Sequence, residues 1–172
     1  FSVAERPWCL FNAHMAYRVG IIGYGWAATA HADAINGTDQ GTVSAIFSSR
    51  SLDDAEVSAA HGSEIKTYTS LDDMLASDID VVSITSYPNQ HREQAVAAAN
   101  AGKHIILEKP MALTWEDCKA INDAVVANGV KACVCFELRY ISQFLTTTNI
   151  IGQGLVGDLH YGEVDYYHGI GP

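Results

Sequence analysis

A glycine-rich segment, GYGWAA (residues 23–28), is the first part of the sequence whose residue types and spacing could do chemistry. Gly23, Gly25 and Ala28 follow the GxGxxG/A spacing that binds the pyrophosphate of a dinucleotide where a strand leads into a helix. The first glycine permits a tight turn, the second lets the backbone approach the pyrophosphate, and the alanine allows close packing. The N–H groups and positive dipole at the start of the helix would face the phosphates. The alternative is a glycine turn without a ligand.

The second such segment is Ser48-Ser49-Arg50, at the end of the second predicted strand. Roughly 20 residues after the glycine turn, an NAD-binding fold places Asp or Glu against the ribose 2′-hydroxyl. Here no acid occurs between Gly41 and Asp53. A guanidinium beside serine hydroxyls would instead accept a 2′-phosphate through charge-assisted hydrogen bonds. We therefore expect NADP(H) to be favoured, with NAD(H) possible; alternatively, Arg50 is a solvated cation in a loop.

The third segment runs from Thr85 to Pro110, and both of its ends follow predicted strands. Both ends should therefore lie at the carboxyl edge of the sheet, where open α/β sheets bind ligands. Lys109 precedes a proline, which favours an extended conformation at the lysine. Its amine could exchange a proton with a substrate hydroxyl or carbonyl. Without further context, the Glu108–Lys109 pair is better explained as an ion pair on the surface that ends a strand.

The elements that must position these segments alternate along the chain. Strands are predicted over residues 18–22, 42–47, 65–68, 80–85, 104–107 and 130–136, and helices over 26–36, 51–60, 70–76, 89–101 and 114–128. Ser51 is the expected N-cap of the second helix, and Thr114 that of the fifth. This alternation predicts an α/β fold, a Rossmann-type doubly wound parallel sheet. Continuous apolar strands fit a sheet covered by helices on both faces.

The pattern changes after Arg139, where a helix is expected over 140–151 and a strand over 159–167. We therefore expect three segments along the chain. Residues 1–14, which precede Met15, form an extension or a non-native leader, and residues 15–137 form the Rossmann domain. Residues 138–172 are expected to begin an α+β substrate domain that the sequence does not complete.

Composition narrows the class of protein further. Hydrophobic residues make up 48% of the 172 residues and charged residues 17%, which is ordinary for a globular protein. A net charge of −10 argues against nucleic-acid or anionic-membrane partners. No apolar run approaches the ~20 residues of a membrane span. The four cysteines are expected to be small buried residues in a reducing, cytoplasmic compartment, and the histidines lack metal-ligand spacing, so no metal is expected.

The order GxGxxA, SSR, PNxxH, AGKHIILEKP and CFELR, from about Tyr17 to the end of the chain, closely resembles the Gfo/Idh/MocA oxidoreductase family. The AGKHIILEKP segment is the most specific part of the resemblance. The resemblance implies a Rossmann domain followed by a domain built on a large open antiparallel sheet. It also implies hydride transfer between a nicotinamide and a sugar, polyol or similar hydroxyl-rich compound. We expect a homo-oligomer for the full-length protein.

The resemblance assigns roles to particular positions. Lys109 becomes the catalytic lysine, while Glu137 stands where family members often have Asn or Gln. The family's downstream Asp and His, which complete the substrate site, would lie beyond Pro172. The residues assigned to the cofactor are Gly23, Tyr24, Gly25, Trp26, Ala27 and Ala28 at the pyrophosphate turn, Ser49 and Arg50 at the adenosine ribose, Thr85, Ser86, Pro88, Asn89 and His91 beside the cofactor, and Glu108, Lys109 and Arg139 towards the nicotinamide.

Several residues also have purely structural interpretations. His91 could cap or pack at the start of its helix, His31 and His104 are expected to be structural, and Trp115 and Phe136 are expected in the core. The complete protein is expected to be an NADP(H)-preferring oxidoreductase that acts on a sugar or polyol. Two alternatives remain, a non-catalytic dinucleotide-binding module and a redox-neutral, glycosidase-like enzyme that uses tightly held NAD(P).

Overall fold

The computed structural model describes residues 16–167, so the predicted leader (1–14) and Met15 lie outside the described residues. The strands are β1 (Tyr17–Ile22), β2 (Gly41–Phe47), β3 (Lys66–Tyr68), β4 (Val81–Ile84), β5 (His104–Leu107) and β6 (Ala132–Val134). The helices are α1 (Trp26–Asn36), α2 (Asp54–His61), α3 (Leu71–Leu75), α4 (His91–Asn100), α5 (Trp115–Ala127) and α6 (Ser142–Gly152). Two 3₁₀ helices, Pro88–Gln90 and Glu137–Tyr140, precede α4 and α6.

All six strands pair in parallel in one sheet of order β3-β2-β1-β4-β5-β6. The order reverses direction between β1 and β4, so the loops that follow these two strands diverge and leave a crevice at the carboxyl edge. This is the Rossmann-type doubly wound sheet that the sequence predicts.

Two clusters of apolar side chains form the core. The first includes Ile22, Val82 and Ile84 from the central strands together with Ile121 of α5. The second includes Ala28 and Ala32 of α1, packed with Val43 and Ile46 of β2 and with Val57 and Ile65. Ala28 is buried against the sheet, which is the close helix–strand packing expected for the third position of the glycine motif.

Local hydrogen bonds decide where the second helix begins. The Asp53 carboxylate accepts from the backbone N–H groups of Ala55 and Glu56, both at 2.9 Å, so Asp53 rather than the predicted Ser51 is the N-cap of α2. Asp54 follows and accepts from both the hydroxyl and the backbone N–H of Thr67 on β3. These hydrogen bonds lower the pKa of the Asp54 carboxyl. The start of α2 is thus tied to the neighbouring strand.

The described chain divides into two units between Cys135 and Phe136. The second unit contains a 3₁₀ helix and α6, and its described residues are exposed. The predicted strand over 159–167 is wrong, because these residues adopt no regular structure. A strand needs a partner for its N–H and C=O groups, and the second unit has no other strand within its described residues. In residues 16–167 no helix has both the length and the apolar character needed to cross a membrane.

Three predictions of burial are also wrong. Trp115 is 76% exposed, because it is the first residue of α5 and this helix packs through Ile121 near its middle. Phe136, which lies beyond the end of β6, is 50% exposed. Cys133 is exposed, because β6 is a three-residue strand that pairs with β5 and forms the edge of the sheet within residues 16–167. Cys118 and Cys135 are half-buried, and Cys9 lies outside the described residues.

Candidate functional site

A cavity of about 780 Å³ opens at the carboxyl edge of the sheet, at the crevice beside β1 and β4. Its lining comes from the loops that follow β1, β2 and β4, from the end of β2, and from the starts of α1, α3 and α4. The lining residues are Gly23, Tyr24, Gly25, Trp26, Ala27, Phe47, Ser48, Ser49, Arg50, Leu71, Thr85, Ser86, Tyr87, Gln90, Glu93 and Gln94. A second concavity, of about 650 Å³ between α3 and the end of α4, shares none of these residues. The larger cavity is therefore lined by most of the residues that the sequence assigned to the cofactor.

The two glycines of the turn differ in whether the fold itself requires a residue without a side chain. Gly23 has φ +95°, and an added Cβ would lie 3.3 Å from both the Ser86 nitrogen and the Thr85 hydroxyl oxygen. The fold itself therefore requires glycine at position 23. Gly25 has an ordinary φ of −130°, and an added Cβ would meet no atom within 4 Å. Nothing in the described structure requires glycine there, and the open space is what a close-lying ligand would use.

Helix α1 begins at Gly25 without a side-chain cap. Its first helical hydrogen bond runs from the Thr29 nitrogen to the Gly25 oxygen at 3.2 Å, so the N–H groups of residues 26–28 have no acceptor within the helix. Trp26 and Ala27 line the cavity. These N–H groups and the positive end of the helix dipole form an arrangement suited to a phosphate.

Arg50 lies at the end of the cavity where the second strand stops. Its guanidinium donates to the carbonyl oxygen of Tyr24 at 3.2 Å, and its backbone N–H donates to the Ser48 hydroxyl at 3.1 Å. Of the described residues that line the cavity, Arg50 is the one cation and Glu93 the one acid. Arg50 keeps further guanidinium N–H groups for a ligand, because the Tyr24 carbonyl takes up one of its five.

The floor of the cavity is fixed by residues that follow β4. The Thr85 hydroxyl donates to the Ile22 carbonyl at 2.9 Å, and the Ser86 hydroxyl donates to the side chain of Gln94. Gln90, Glu93 and Gln94 line the cavity but were not predicted from the sequence. Their spacing, i, i+3 and i+4 at the start of a helix that follows a sheet strand, is the signal that could have found them. Phe47, Leu71 and Tyr87 were also missed.

The predicted residues around Lys109 lie outside the cavity lining. Lys109 is exposed, and its peptide bond to Pro110 is cis. Both carboxylate oxygens of Glu108 are engaged: one lies 2.9 Å from His31 Nε2, and the other accepts from the Lys109 backbone N–H at 3.1 Å. His31 Nδ1 lies 2.8 Å from the buried Ser83 hydroxyl. Glu108 therefore anchors the turn that carries the lysine.

His91 is fully buried, so it packs beneath the cavity rather than on its wall. Its Nδ1 lies 2.9 Å from the Pro110 carbonyl oxygen and its Nε2 lies 3.1 Å from that of Ser86. It thereby connects the two loops that follow β4 and β5. Pro88 and Asn89 form the 3₁₀ helix between cavity residues Tyr87 and Gln90 without lining the cavity themselves. Arg139 lies in the second unit, 5.7 Å from the Phe136 ring centre.

Three potential metal ligands also meet near the turn that carries Lys109. One ligand atom each from His31, Glu108 and Cys135 lies within 4.8 Å of the others. The sequence expectation of no metal rested on spacing, and spacing cannot reveal a group assembled from such distant positions. Both nitrogens of the His31 ring already have partners, Ser83 and Glu108.

A family model described as "Oxidoreductase family, NAD-binding Rossmann fold" matches residues 17–136. Among curated relatives, an inositol 2-dehydrogenase of Salmonella paratyphi B is 32% identical over 149 residues, covering 83% of this chain and 44% of the relative. A scyllo-inositol 2-dehydrogenase (NADP(+)) of Bacillus subtilis is 31% identical over 156 residues, covering 87% of this chain and 41% of the relative. The chain thus spans less than half the length of these relatives.

Solved structures agree with the sequence matches. The scyllo-inositol dehydrogenase from Lactobacillus casei with bound NAD(H) and scyllo-inositol superposes with a TM-score of 0.73 and 29% identity. The match covers 84% of this chain and 43% of that one. The similarity therefore extends over most of the described residues.

Proposed function

This chain belongs to the Gfo/Idh/MocA oxidoreductase family, and from that premise we propose that it supplies the dinucleotide-binding domain of an NADP(H)-preferring oxidoreductase acting on a polyol or sugar. The substrate class is supported by the relatives, which include inositol dehydrogenases. In this proposal the second unit begins the part of the protein that binds the substrate.

One observation carries the proposal: the glycine turn, the uncapped start of α1 and Arg50 border a single cavity. The open space at Gly25 suits the pyrophosphate. The fold would tolerate a side chain at this position, so the glycine leaves room that a ligand can occupy. N–H groups from the start of α1 would bind the phosphate oxygens. The residues of the cavity therefore fit a dinucleotide.

Preference for NADP(H) rests on the end of the second strand. Arg50 and the neighbouring serines stand where an acid would repel a 2′-phosphate. The Arg50 guanidinium is already held near the turn by the Tyr24 carbonyl, which lowers the entropy lost when it binds a second acceptor.

Lys109 is the residue we propose for proton transfer. When bound, the nicotinamide would accept or supply the hydride. In its neutral form the Lys109 amine takes the proton of a substrate hydroxyl during oxidation, and in its charged form it returns a proton during reduction. Glu108 and His91 fix the backbone on either side of the lysine, at Lys109 N–H and at the Pro110 carbonyl. They are positioning residues for this step.

The test is an activity screen on a protein as long as its relatives. Inositols, sugars and keto-sugars are supplied with NADP+ or NADPH, and the absorbance of reduced nicotinamide is followed. We expect turnover with at least one polyol, faster with NADP(H) than with NAD(H). Nucleotide binding without any turnover would favour a non-catalytic binding module. Conversion of glycosides without net change in nicotinamide would favour a redox-neutral, glycosidase-like enzyme.

A further inference from the structure

A chain of hydrogen bonds runs from the glycine turn to the surface of α1. The Tyr24 hydroxyl lies 3.2 Å from His61 Nε2, and His61 Nδ1 lies 3.1 Å from the Asp33 carboxylate. The Tyr24 and His61 rings also pack edge to face, with centroids 5.9 Å apart and planes at 83°. The imidazole is 2% exposed, whereas the Asp33 side chain is 64% exposed. A nearly buried histidine thus connects a surface carboxylate to a residue of the cavity wall.

The chemistry of the three groups gives these bonds one direction. An ionised carboxylate only accepts, so Nδ1 of His61 carries the proton and donates to Asp33. In a neutral imidazole the other nitrogen then accepts, and the Tyr24 hydroxyl donates to it. Both ring nitrogens of His61 have a partner in this arrangement. We call Asp33, His61 and Tyr24 the tyrosine relay.

His61 is the fixed member of the tyrosine relay. Its carbonyl oxygen accepts from the Asn36 side-chain amide at 2.8 Å. The same amide donates to the Ser63 hydroxyl at 3.0 Å, and the Asn36 oxygen accepts from the Val43 N–H at 2.8 Å. These bonds tie His61 to the end of α1 and to β2, so its ring offers a rigid anchor for the tyrosine.

Tyr24 needs such an anchor because it lies between two glycines, whose backbones are the least restrained of any residue. The peptide of Tyr24 also carries the carbonyl oxygen that accepts from the Arg50 guanidinium at 3.2 Å. Holding the tyrosine ring therefore restricts the orientation of this carbonyl, and through it the position of Arg50.

We propose that His61 is a positioning residue for cofactor selectivity: through Tyr24 it holds Arg50 where the guanidinium meets the 2′-phosphate of NADP(H). This inference rests on the proposed dinucleotide site and deepens it, because it adds two residues, His61 and Asp33, that lie outside the glycine motif and the serine–arginine segment. It predicts that the tyrosine relay affects binding of the 2′-phosphate and leaves the rest of the dinucleotide alone.

The test is calorimetric titration of this chain with NADP+, NAD+, and the fragments 2′,5′-ADP and 5′-AMP. Tyr24→Phe removes one hydroxyl and keeps the ring. Because one hydrogen bond contributes about 0.5–1.5 kcal/mol, affinity for NADP+ and 2′,5′-ADP should fall about two- to tenfold. Affinity for NAD+ and 5′-AMP should change less than about twofold by the same reasoning. Tyr68→Phe removes a phenol outside the cavity lining and should leave all four affinities unchanged.

Two substitutions of His61 separate positioning from simple packing. His61→Gln can present a carbonyl oxygen near the place of Nε2 and so keep the bond to Tyr24, whereas the shorter Asn keeps only the partner of Nδ1. We expect His61→Gln to retain most of the NADP+ preference and His61→Asn to behave like Tyr24→Phe. Thermal melting of each variant shows whether the fold persists, and Tyr24→Phe carries the test if the His61 variants unfold.

A double-mutant cycle completes the test. Once Arg50→Ala has removed the guanidinium, adding Tyr24→Phe should cost no further NADP+ affinity, because the two changes act on one contact. Equal losses for NADP+ and NAD+, or additive effects in the cycle, would overturn the role of the tyrosine relay while leaving the dinucleotide site intact. A wild-type chain that bound neither nucleotide would overturn the site and the relay together.

Discussion

The two lysines that flank β5 show how differently the two edges of the sheet treat a charged group. Before the strand, the Lys103 ammonium donates to the carbonyl oxygens of Ser77 at 3.2 Å and Ile79 at 2.8 Å. After the strand, the backbone N–H of Lys109 donates to the Glu108 carboxylate, and the Lys109 ammonium has no partner among residues 16–167. At the amino edge the lysine hydrogen-bonds to the backbone and stabilises the fold. At the carboxyl edge the lysine ammonium remains free to contact a ligand.

The helix N-termini show the same contrast within the carboxyl edge. Asp53, Ser70 and Thr114 cap α2, α3 and α5 with side-chain oxygens, which satisfies N–H groups that would otherwise lack acceptors. Helix α1 begins at a glycine that caps nothing. Side chains thus cap three of these helices, whereas α1, like α4 and α6, begins without a side-chain cap. Of the three uncapped helices, α1 and α4 border the cavity. At α1 the uncapped N–H groups lie beside the glycine turn, where a phosphate could accept from them.

The largest effect should come from removing Lys109, with removal of Lys103 as the matched comparison. In a protein as long as its relatives, Lys109→Ala should lower turnover by about 10²- to 10⁴-fold, the usual contribution of a positioned proton-transfer group. Cofactor affinity and melting temperature should hardly change. The matched variant Lys103→Met should lower the melting temperature and leave turnover per folded molecule intact. Steady-state kinetics and thermal melting of both variants separate the effect on turnover from the effect on stability. Near wild-type turnover in Lys109→Ala would remove this lysine from the mechanism.

The next largest effect concerns Arg50, the cation at the open edge of the cavity. Hydrogen bonds to charged groups contribute about 1.5–3 kcal/mol. Arg50→Ala should therefore weaken NADP+ binding by roughly 10- to 150-fold and affect NAD+ much less. Competition between the two nucleotides in a titration measures the ratio directly. A wild-type chain that already prefers NAD+ would contradict this interpretation of the segment.

A smaller effect, on stability alone, is expected at a capped helix. Asp53→Ala removes the cap of α2 and should lower the free energy of unfolding by about 1 kcal/mol. Nucleotide affinity should be unchanged, since Asp53 is not part of the cavity lining. Denaturant unfolding and nucleotide titration of the same sample provide the two readouts. A loss of affinity without a loss of stability would show that the capped ends are not merely structural.

The smallest effect is a dependence of stability on pH at Asp54. Its hydrogen bonds from Thr67 lower the pKa of the carboxyl in the folded state, so the ionised form stabilises the fold at neutral pH. This contribution is lost as the pH falls through the lowered pKa. Asp54→Asn should therefore be less stable than wild type by under about 1 kcal/mol at neutral pH, with the difference shrinking in acid. Urea unfolding of both proteins from neutral to acidic pH measures this difference in stability. A difference that grew as the pH fell would contradict the prediction.

Patterns within short stretches of sequence predicted the strands and helices, which depend mostly on interactions between residues close together in the chain. Alternating apolar runs gave the parallel sheet, and the predicted bounds of α1 and β5 agree with the structure. His31 and His104 have structural hydrogen bonds as expected. The start of α2 was misplaced because Ser51 and Asp53 are both acceptable caps, and contacts with β3, 13 residues along the chain from Asp54, come into play only in the folded structure.

Contacts across long stretches of sequence could not be predicted. The pairing of Tyr24 with His61 spans 37 residues, and that of His31 with Glu108 spans 77, so no motif or period encodes them. His91 has the right spacing for a cofactor contact, yet its side chain is buried between two loops. The strand expected over 159–167 had suitable residues but lacked a partner strand among the described residues of its unit, 136–167. Whether a polar residue faces a ligand or the fold depends on such distant neighbours.

The central claim, that the open start of α1 binds the pyrophosphate of a dinucleotide, is tested most directly at Gly25. Calorimetric titration with NADP+ compares wild type with Gly25→Val, whose backbone at φ −130° accepts a branched residue and whose Cβ meets no protein atom within 4 Å. The fold should therefore persist, as circular dichroism and thermal melting would show. The valine side chain should enter the space of the pyrophosphate and weaken binding by roughly 5- to 150-fold, as a steric intrusion of about 1–3 kcal/mol implies. A folded Gly25→Val chain that bound NADP+ as tightly as wild type would contradict the account.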